Sequence, residues 1–483
     1  MDYLQDPIIL GSLILLSVSI VVFSHLRRQI RFWLVLLTVM LFALPRAGVL
    51  VQQINLPLPL AHILAALVII QWFFFGRSQY HRQSRFGYFF LIYAATAGLG
   101  LAIGLSTGAN HSMAFLELFF YLIAMGLFFY ASETFTEKRH FLLFTGLILG
   151  FSAIVSLYGI AQRYMGSDIL INNVTYNSAS DTARSYIEQS AFGDVNSRVL
   201  SSYGDPNVLA GQLLVFAGIA LALLLGKKVP PHLKLLCLGV LCANVCCIIF
   251  TGSRAGLLAL VFVAIIVLIR RSRWALLFIP AVAISAFILI TPVLESLLTA
   301  KFHGLVSAGD IRGQFPIMAW ELLKLIPFGS GLGNTVILKP EGFDWSFMVT
   351  PTSNVWTGFN SYWLNLFSRL GILGLLSFIL LLAVLFRYIW RQADSIRHPL
   401  ARPILIGALA GCIGQGMIWL VNNTYMLPGG GLNFWFIMGM MVAGCRAFAA
   451  EPYPVMLPVQ PIWTTDRIHS RPGRTMEPEL VGN

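Results

Sequence analysis

Apolar runs about as long as a bilayer is thick recur along almost the whole chain. A helix needs about 20 apolar residues to cross the hydrocarbon core, and thirteen segments of this kind can be recognised. They lie near 7–25, 32–50, 57–75, 86–105, 112–132, 140–162, 207–226, 233–251, 254–269, 274–296, 361–386, 403–422 and 432–449. Only 11% of the residues are charged, whereas soluble domains carry about 25%. The sequence therefore predicts an all-α, polytopic transmembrane helical bundle with about 12–14 spans.

The helical bundle is expected to form one transmembrane domain over residues 1–451. Residues 452–483 contain several Pro and Arg but no apolar run, which predicts a disordered cytoplasmic tail. The first apolar run follows Asp2 and Asp6, with no basic residue before it and no small-residue cleavage site. It is therefore expected to be a retained helix and not a signal peptide.

Positive charges alternate from one side of the predicted membrane to the other. If every second connecting segment is cytoplasmic, beginning after the first helix, those segments hold 22 of the 32 Lys and Arg. This bias is typical of cytoplasmic loops. It explains the net charge of +12 by membrane topology and not by nucleic-acid binding. The amino terminus is predicted outside the cytoplasm and the carboxyl terminus inside.

Two of the predicted outer segments are much longer than the rest. They run from about residue 162 to 206 and from about 297 to 360, and loops of this length are usually functional or disordered. The second contains a predicted helix at 316–326, several aromatic residues and closely spaced glycines. We expect a large, partly helical periplasmic loop, in which Gly329, Gly331 and Gly333 form a turn that lets the chain re-enter the bundle.

Three arginines stand out among the ten Lys and Arg that lie outside those cytoplasmic segments. They are Arg198, Arg254 and Arg312. A guanidinium group is a planar, permanently charged fork that suits phosphate oxygens, so several converging at the outer interface would suit a pyrophosphate. The alternative is structural: Arg198 and Arg312 pair with nearby aspartates, and Arg254 extends to lipid headgroups.

Five motifs occur in an order that resembles a known family, the bacterial O-antigen ligases and O-antigen or exopolysaccharide polymerases. Together they cover roughly residues 156–378. They are SLYGIAQRYMG at 156–166, RVLSSYGDPNVLA at 198–210, TGSRAGLLAL at 251–260, IRGQFPIMAWELLKLIPFGSGLGN at 311–334 and FNSYWLNLFSRLGILGLL at 359–376.

The resemblance implies a GT-C-like glycosyltransferase in the bacterial inner membrane. Such an enzyme takes an undecaprenyl-diphosphate-linked oligosaccharide as donor and transfers it at the periplasmic face. It implies that Arg198, Arg254 and Arg312 are catalytic and bind the donor pyrophosphate, with no metal and no cofactor. The expected partners are this donor, membrane lipids and other polysaccharide export and chain-length proteins, with no nucleic acid.

One position departs from the ligases of this family. They carry a His immediately before the Asn that corresponds to Asn360, whereas this chain has Phe359. Phenylalanine cannot accept a proton, which favours a polymerase over a ligase. Asn360 and His303 join the catalytic candidates, and Tyr362 and Trp345 are candidate acceptor or sugar contacts. Other candidate bases in the same loop are Asp310, Glu341 and Asp344.

Three alternatives remain open at this point. A ligase of the same family would transfer the glycan to lipid A core or another acceptor. A polysaccharide or lipid-linked glycan transporter would need repeated halves and ionisable residues at mid-membrane depth, neither of which is evident. A non-enzymatic assembly subunit would need none of the three arginines.

Overall fold

The computed structural model describes thirteen stretches of the chain. They are residues 37–38, 41–42, 48–51, 56–76, 86–135, 137–165, 198–199, 201–203, 205–271, 315–334, 361–423, 425 and 430–449. All belong to one unit, Met1–Ala449, whereas the second unit, Ala450–Asn483, lies outside the described residues. The predicted spans 7–25 and 274–296 and the predicted tail lie outside them as well.

Helices make up most of the described residues. Eleven can be followed from end to end in these stretches: α1 (Leu60–Gln71), α2 (Gly87–Ser106), α3 (His111–Thr134), α4 (Lys138–Met165), α5 (Pro206–Leu224), α6 (Pro231–Phe250), α7 (Arg254–Arg271), α8 (Phe315–Leu325), α9 (Tyr362–Ser395), α10 (Ala401–Val421) and α11 (Gly431–Ala447). Seven of them, α2 to α6, α9 and α10, are long and apolar enough to cross a membrane. The predicted polytopic helical class is confirmed, and α8 confirms the helix expected near residues 316–326.

A short antiparallel hairpin lies where the second predicted span was expected to end and the third to begin. Strand β1 (Gly48–Val51) pairs with β2 (Leu56–Pro59), with Gly48 opposite Pro59. The helix predicted to reach residue 50 therefore stops earlier, and the next begins at Leu60. Pro57 and Pro59 have no backbone N–H to donate, and a two-stranded hairpin accepts them because every strand in it is an edge.

The helices give the bundle two opposite ends. Helices α5 and α7 both begin beside Arg198, which contacts Asn207 and Thr251, and α7 ends where Arg270 meets Asp394. We call these ends the Arg198 face and the Asp394 face. At 1.5 Å per residue, the 19 residues of α5 span about 28 Å, close to the roughly 30 Å of a bilayer core.

Glycines allow α5 and α10 to cross at backbone contact. A Cβ atom added at Gly407 would lie 2.3 Å from the carbonyl oxygen of Gly218, and one added at Gly218 would lie 2.4 Å from the carbonyl oxygen of Gly407. Small residues at such crossings are the usual basis of helix association in membranes, where apolar burial alone drives little. This contact holds α5 and α10 together, and both helices run between the two faces.

Replacing Gly407 by Ala should destabilise the protein, because the new methyl group must push α10 away from α5. We expect a loss of about 1–3 kcal/mol in the free energy of unfolding, measured by denaturant titration in detergent. Gly416→Ala, in the same helix, is the matched control, since a Cβ there meets no atom within 4 Å. Equal stability of the two variants would contradict the contact.

Candidate active site

The starts of α5 and α7 are tied together by side-chain hydrogen bonds. Asp205 caps α5 by accepting hydrogen bonds from the backbone N–H groups of Asn207 (2.8 Å) and Val208 (3.0 Å). Ser253 caps α7 by accepting one from the N–H of Gly256 (3.1 Å), and its hydroxyl donates to Oδ1 of Asn207 (2.8 Å). Both caps use the residue types that helix starts prefer, and they bring two helix N-termini to one place.

Arg198 is held at the turn between α6 and α7. Its Nε donates to the carbonyl oxygen of Thr251 (2.8 Å), 53 positions away in the sequence, and Nη2 lies 3.5 Å from Oδ1 of Asn207. The Thr251 carbonyl follows the last turn of α6, where helical carbonyls have no partner within the helix. Gly252 has φ +61, a value that glycine adopts without strain, and so closes the turn around the guanidinium group.

The segment after Arg198 is buried in the bundle. The N–H of Ser201 donates to Oε1 of Gln162 (2.8 Å), and its hydroxyl donates to the carbonyl oxygen of Val155 (2.8 Å). The Tyr203 hydroxyl donates to the carbonyl oxygen of Phe42 (3.0 Å). Arg198 therefore extends from a backbone fixed against α4, and its position is determined before any ligand arrives.

Arg254 occupies the first position of α7 and is exposed. It follows Ser253 directly, so Arg198 and Arg254 flank the same turn. Two helix N-termini carry partial positive charge and here lie next to two permanent cations. The two cations share this place with one carboxylate, that of Asp205, which caps α5, and their chemistry suits a phosphate or diphosphate ligand.

The other candidate residues from the sequence have different placements. Tyr362 is fully buried: its ring stacks on Tyr425 at 4.0 Å between centroids and contacts Trp419 edge-on. A sugar would reach Tyr362 only if this aromatic cluster opened. The remaining candidates lie outside the described residues; they are His303, Asp310, Arg312, Glu341, Asp344, Trp345 and Asn360.

A glycine-rich loop enters the bundle at the same face. Helix α9 is broken at Gly371 (φ 66, ψ −166), and residues 327–334 pack into the break. The N–H of Gly331 donates to the carbonyl oxygen of Arg369 (3.1 Å), and that of Leu332 donates to the carbonyl oxygen of Gly100 in α2 (2.9 Å). Positive φ values at the three loop glycines agree with the predicted re-entering turn.

A buried ion pair that the sequence reading missed fixes this loop. Arg369 lies 3.5 Å from Glu117 of α3, and both side chains are 9% exposed. Glu117 also accepts a hydrogen bond from the N–H of Gly333 (3.0 Å), and Arg369 donates to the carbonyl oxygen of Asn334. Glu117 is the one acidic residue within the predicted span 112–132. An ionisable residue inside a span is a functional signal, which could have identified it.

A comparison with known protein families finds a match for the middle of the chain. Residues 236–379 match the family model described as O-antigen ligase (Wzy_C). This segment is similar to the O-antigen ligase family. The match confirms the resemblance and includes the Thr251–Arg254 turn, the re-entering loop and Arg369, whereas Arg198 lies before it. A search among curated proteins found no match.

The O-antigen ligase match and the fold agree on a coarse function. The helices indicate a multi-pass membrane protein, and the match over residues 236–379 supports a membrane enzyme of the O-antigen ligase or polymerase type. The family points to a lipid-linked glycan and membrane lipids as the molecules it meets. The turn at Arg198 and Arg254 is the described feature that best suits the anionic part of such a substrate.

The variant Arg369→Met should leave the Glu117 carboxylate buried without its cation. We expect a loss of about 3–5 kcal/mol in the free energy of unfolding, measured by denaturant titration in detergent. The double variant Glu117→Gln/Arg369→Met should be more stable than Arg369→Met, because no buried charge is then left unpaired.

The matched control breaks an exposed pair. Lys324→Met removes the cation that contacts Glu321 at 2.8 Å on α8, and exposed pairs contribute at most about 1 kcal/mol. If Arg369→Met cost no more than Lys324→Met, the buried pair would not anchor the loop.

Proposed function

We propose that the chain is a bacterial cell-surface polysaccharide polymerase that joins undecaprenyl-diphosphate-linked repeat units at the periplasmic face of the inner membrane. The observation that carries the proposal is the convergence of Arg198 and Arg254 on one turn, at the joined starts of α5 and α7. The charge bias of the sequence supports an outward Arg198 face, because the connections at the Asp394 face hold the clustered Lys and Arg.

The proposed reaction forms one glycosidic bond and breaks one bond between a sugar and a diphosphate. The acceptor hydroxyl oxygen bonds to the anomeric carbon of the donor while the bond from that carbon to the diphosphate oxygen breaks. Undecaprenyl diphosphate leaves with the bonding electron pair, and the acceptor proton passes to a base. Negative charge therefore grows on the leaving diphosphate, and cations placed beside it lower the barrier.

Arg198 and Arg254 have different parts in this proposal. Arg198 is fixed by Thr251 and Asn207, so it supplies charge that needs no rearrangement during transfer. Arg254 is exposed and long, and therefore able to reach a ligand that approaches from the membrane interface. Arg312 is proposed as a third phosphate ligand from its position in the family motif. Metal-independent turnover is part of the proposal, since the arginines would replace a divalent cation.

The general base is proposed to come from the loop between 297 and 360. Asn360 and Trp345 are proposed to orient the acceptor, with His303 as the first candidate base and Asp310, Glu341 and Asp344 as substitutes. Phe359 supports a polymerase because it stands where the ligases of the family carry a His, and phenylalanine cannot accept a proton. A ligase reaction is the second candidate, since the matched family model is itself described as O-antigen ligase.

Single substitutions Arg198→Ala and Arg254→Ala should each lower glycan transfer about 100-fold or more, as expected for loss of one donor that stabilises a developing charge. Transfer is measured in cells that lack the chain and receive each variant, with protein levels matched. Accumulation of single repeat units on the lipid carrier would support a polymerase, whereas full-length unattached polymer would support the ligase.

Lys324→Ala is the matched control, because it removes one exposed cation from the helix preceding the re-entering loop. It should leave transfer unchanged. Normal glycan output from both arginine variants would contradict the proposed enzyme and favour a transporter or an assembly subunit.

A further inference from the structure

A cavity of about 520 Å³ lies at the Asp394 face, far from the arginine site. It is bounded by the ends of α5, α7 and α9, the start of α10 and the turn after α5. Its volume falls within the roughly 300–1,000 Å³ of ordinary ligand pockets. The cavity therefore has room for a lipid headgroup.

The lining of this cavity is strongly cationic. Six positive side chains share it with a single carboxylate, that of Asp394. The six are Lys227, Lys228, Arg270, Arg271, Arg397 and Arg402. Residues that merely anchor helix ends to headgroups would spread around the bundle, whereas these residues converge on one concave surface.

The carboxylate is already occupied by two of the arginines. Arg270 donates through both terminal nitrogens to Asp394, with Nη1 3.2 Å from Oδ2, and Arg402 lies 3.7 Å from the same carboxylate. The guanidinium of Arg270 also stacks over Trp390 at 4.3 Å, so its position is fixed. No carboxylate among the described residues lies within ion-pair distance of Lys227, Lys228 or Arg271.

A buried donor on the wall lacks an acceptor. Nε of Arg270 is inaccessible to solvent and has no hydrogen-bond partner among the described residues. A buried polar group without a partner costs free energy, so the protein's own groups leave this guanidinium incompletely satisfied. Burial, then the neighbouring charge of Lys138, lower the pKa of His398 on the same wall, and its Nδ1 accepts from the N–H groups of Leu400 and Ala401.

The rest of the wall is mainly apolar. It is formed by Ala222, Leu225, Val267, Ile396, Pro403 and Ile406. A free phosphate ion has nothing to gain from such a wall, whereas the glycerol and first methylene groups of a lipid would bury against it. Cationic pockets between helix ends are a known basis for binding anionic lipids.

We propose that this cavity is a binding site for the phosphate headgroup of an anionic phospholipid from the adjacent leaflet, held by Lys227, Lys228, Arg271 and the Arg270–Arg402 pair. The site is separate from the Arg198 face, so it does not depend on the proposed transfer reaction. Its ligand is a structural lipid that stabilises the junction of α5, α7, α9 and α10.

The test uses the purified, delipidated full-length chain in detergent. Cardiolipin or phosphatidylglycerol in mixed micelles should raise the unfolding midpoint by about 2–5 °C. Lys228→Gln/Arg271→Gln should weaken the apparent affinity for the lipid about 30-fold, at about 1 kcal/mol for each cation lost. The affinity is read from the lipid concentration that gives half of the midpoint shift. Arg387→Gln/Arg391→Gln, which removes two exposed cations from α9 outside the cavity, should leave it unchanged.

Three results would overturn the proposal. They are equal stabilisation by phosphatidylethanolamine, equal stabilisation by sodium phosphate at the same phosphate concentration, and equal weakening in the control variant. If Lys228→Gln/Arg271→Gln does not fold, Lys227→Gln/Lys228→Gln replaces it, because both residues are exposed in a turn. Native mass spectrometry of retained cardiolipin then gives a second measure, and unchanged retention in that variant would also overturn the site.

Discussion

Backbone hydrogen bonding inside a membrane is the constraint on which the Arg198 face depends. A peptide group in hydrocarbon has no water to bind, so an interrupted helix needs replacement partners from the protein. At the break in α9, the N–H of Ser330 donates to the carbonyl oxygen of Ser368 (2.7 Å), and that of Ile372 donates to the carbonyl oxygen of Pro327 (2.9 Å). The re-entering loop is therefore the partner that makes the broken helix possible.

The same constraint explains why Arg198 is fixed. The turn between α6 and α7 exposes the carbonyl oxygen of Thr251, and the Nε of Arg198 satisfies it. The side chain thus completes a helix end and brings a permanent charge to the same point. Such dual use means that the charge is in place before a donor binds, which is the condition for stabilising a transition state by fixed electrostatics.

The sequence predicted the helices well where apolar runs were long and uninterrupted. The expected span 86–105 is Gly87–Ser106 in the structure, and 112–132 is His111–Thr134. Prediction was wrong near residues 48–59, because apolar strands with Pro and short apolar helices share the same composition. Local hydropathy carries no information about pairing, which explains the missed hairpin.

In the candidate site, single residues could be predicted from the sequence, whereas contacts between residues far apart in the sequence could not. Family motifs pointed to Arg198 and Arg254, but only the fold shows that both flank one turn. The pairing of Glu117 with Arg369 depends on how α3 packs beside the broken α9, and no local pattern contains that information. Likewise, the cations at the Asp394 face were expected as separate topological anchors, and their convergence on one cavity follows from helix packing.

Everything proposed for Arg198 and Arg254 requires that the Arg198 face lies outside the cytoplasm. Labelling with a membrane-impermeant thiol reagent tests this in a chain whose exposed Cys242 and Cys246 are replaced by Ser. His111→Cys, at the exposed start of α3, should be labelled in intact spheroplasts. Lys228→Cys, at the Asp394 face, should be labelled only after the membrane is opened. The reverse pattern would place the arginine site on the cytoplasmic side and contradict the proposed periplasmic reaction.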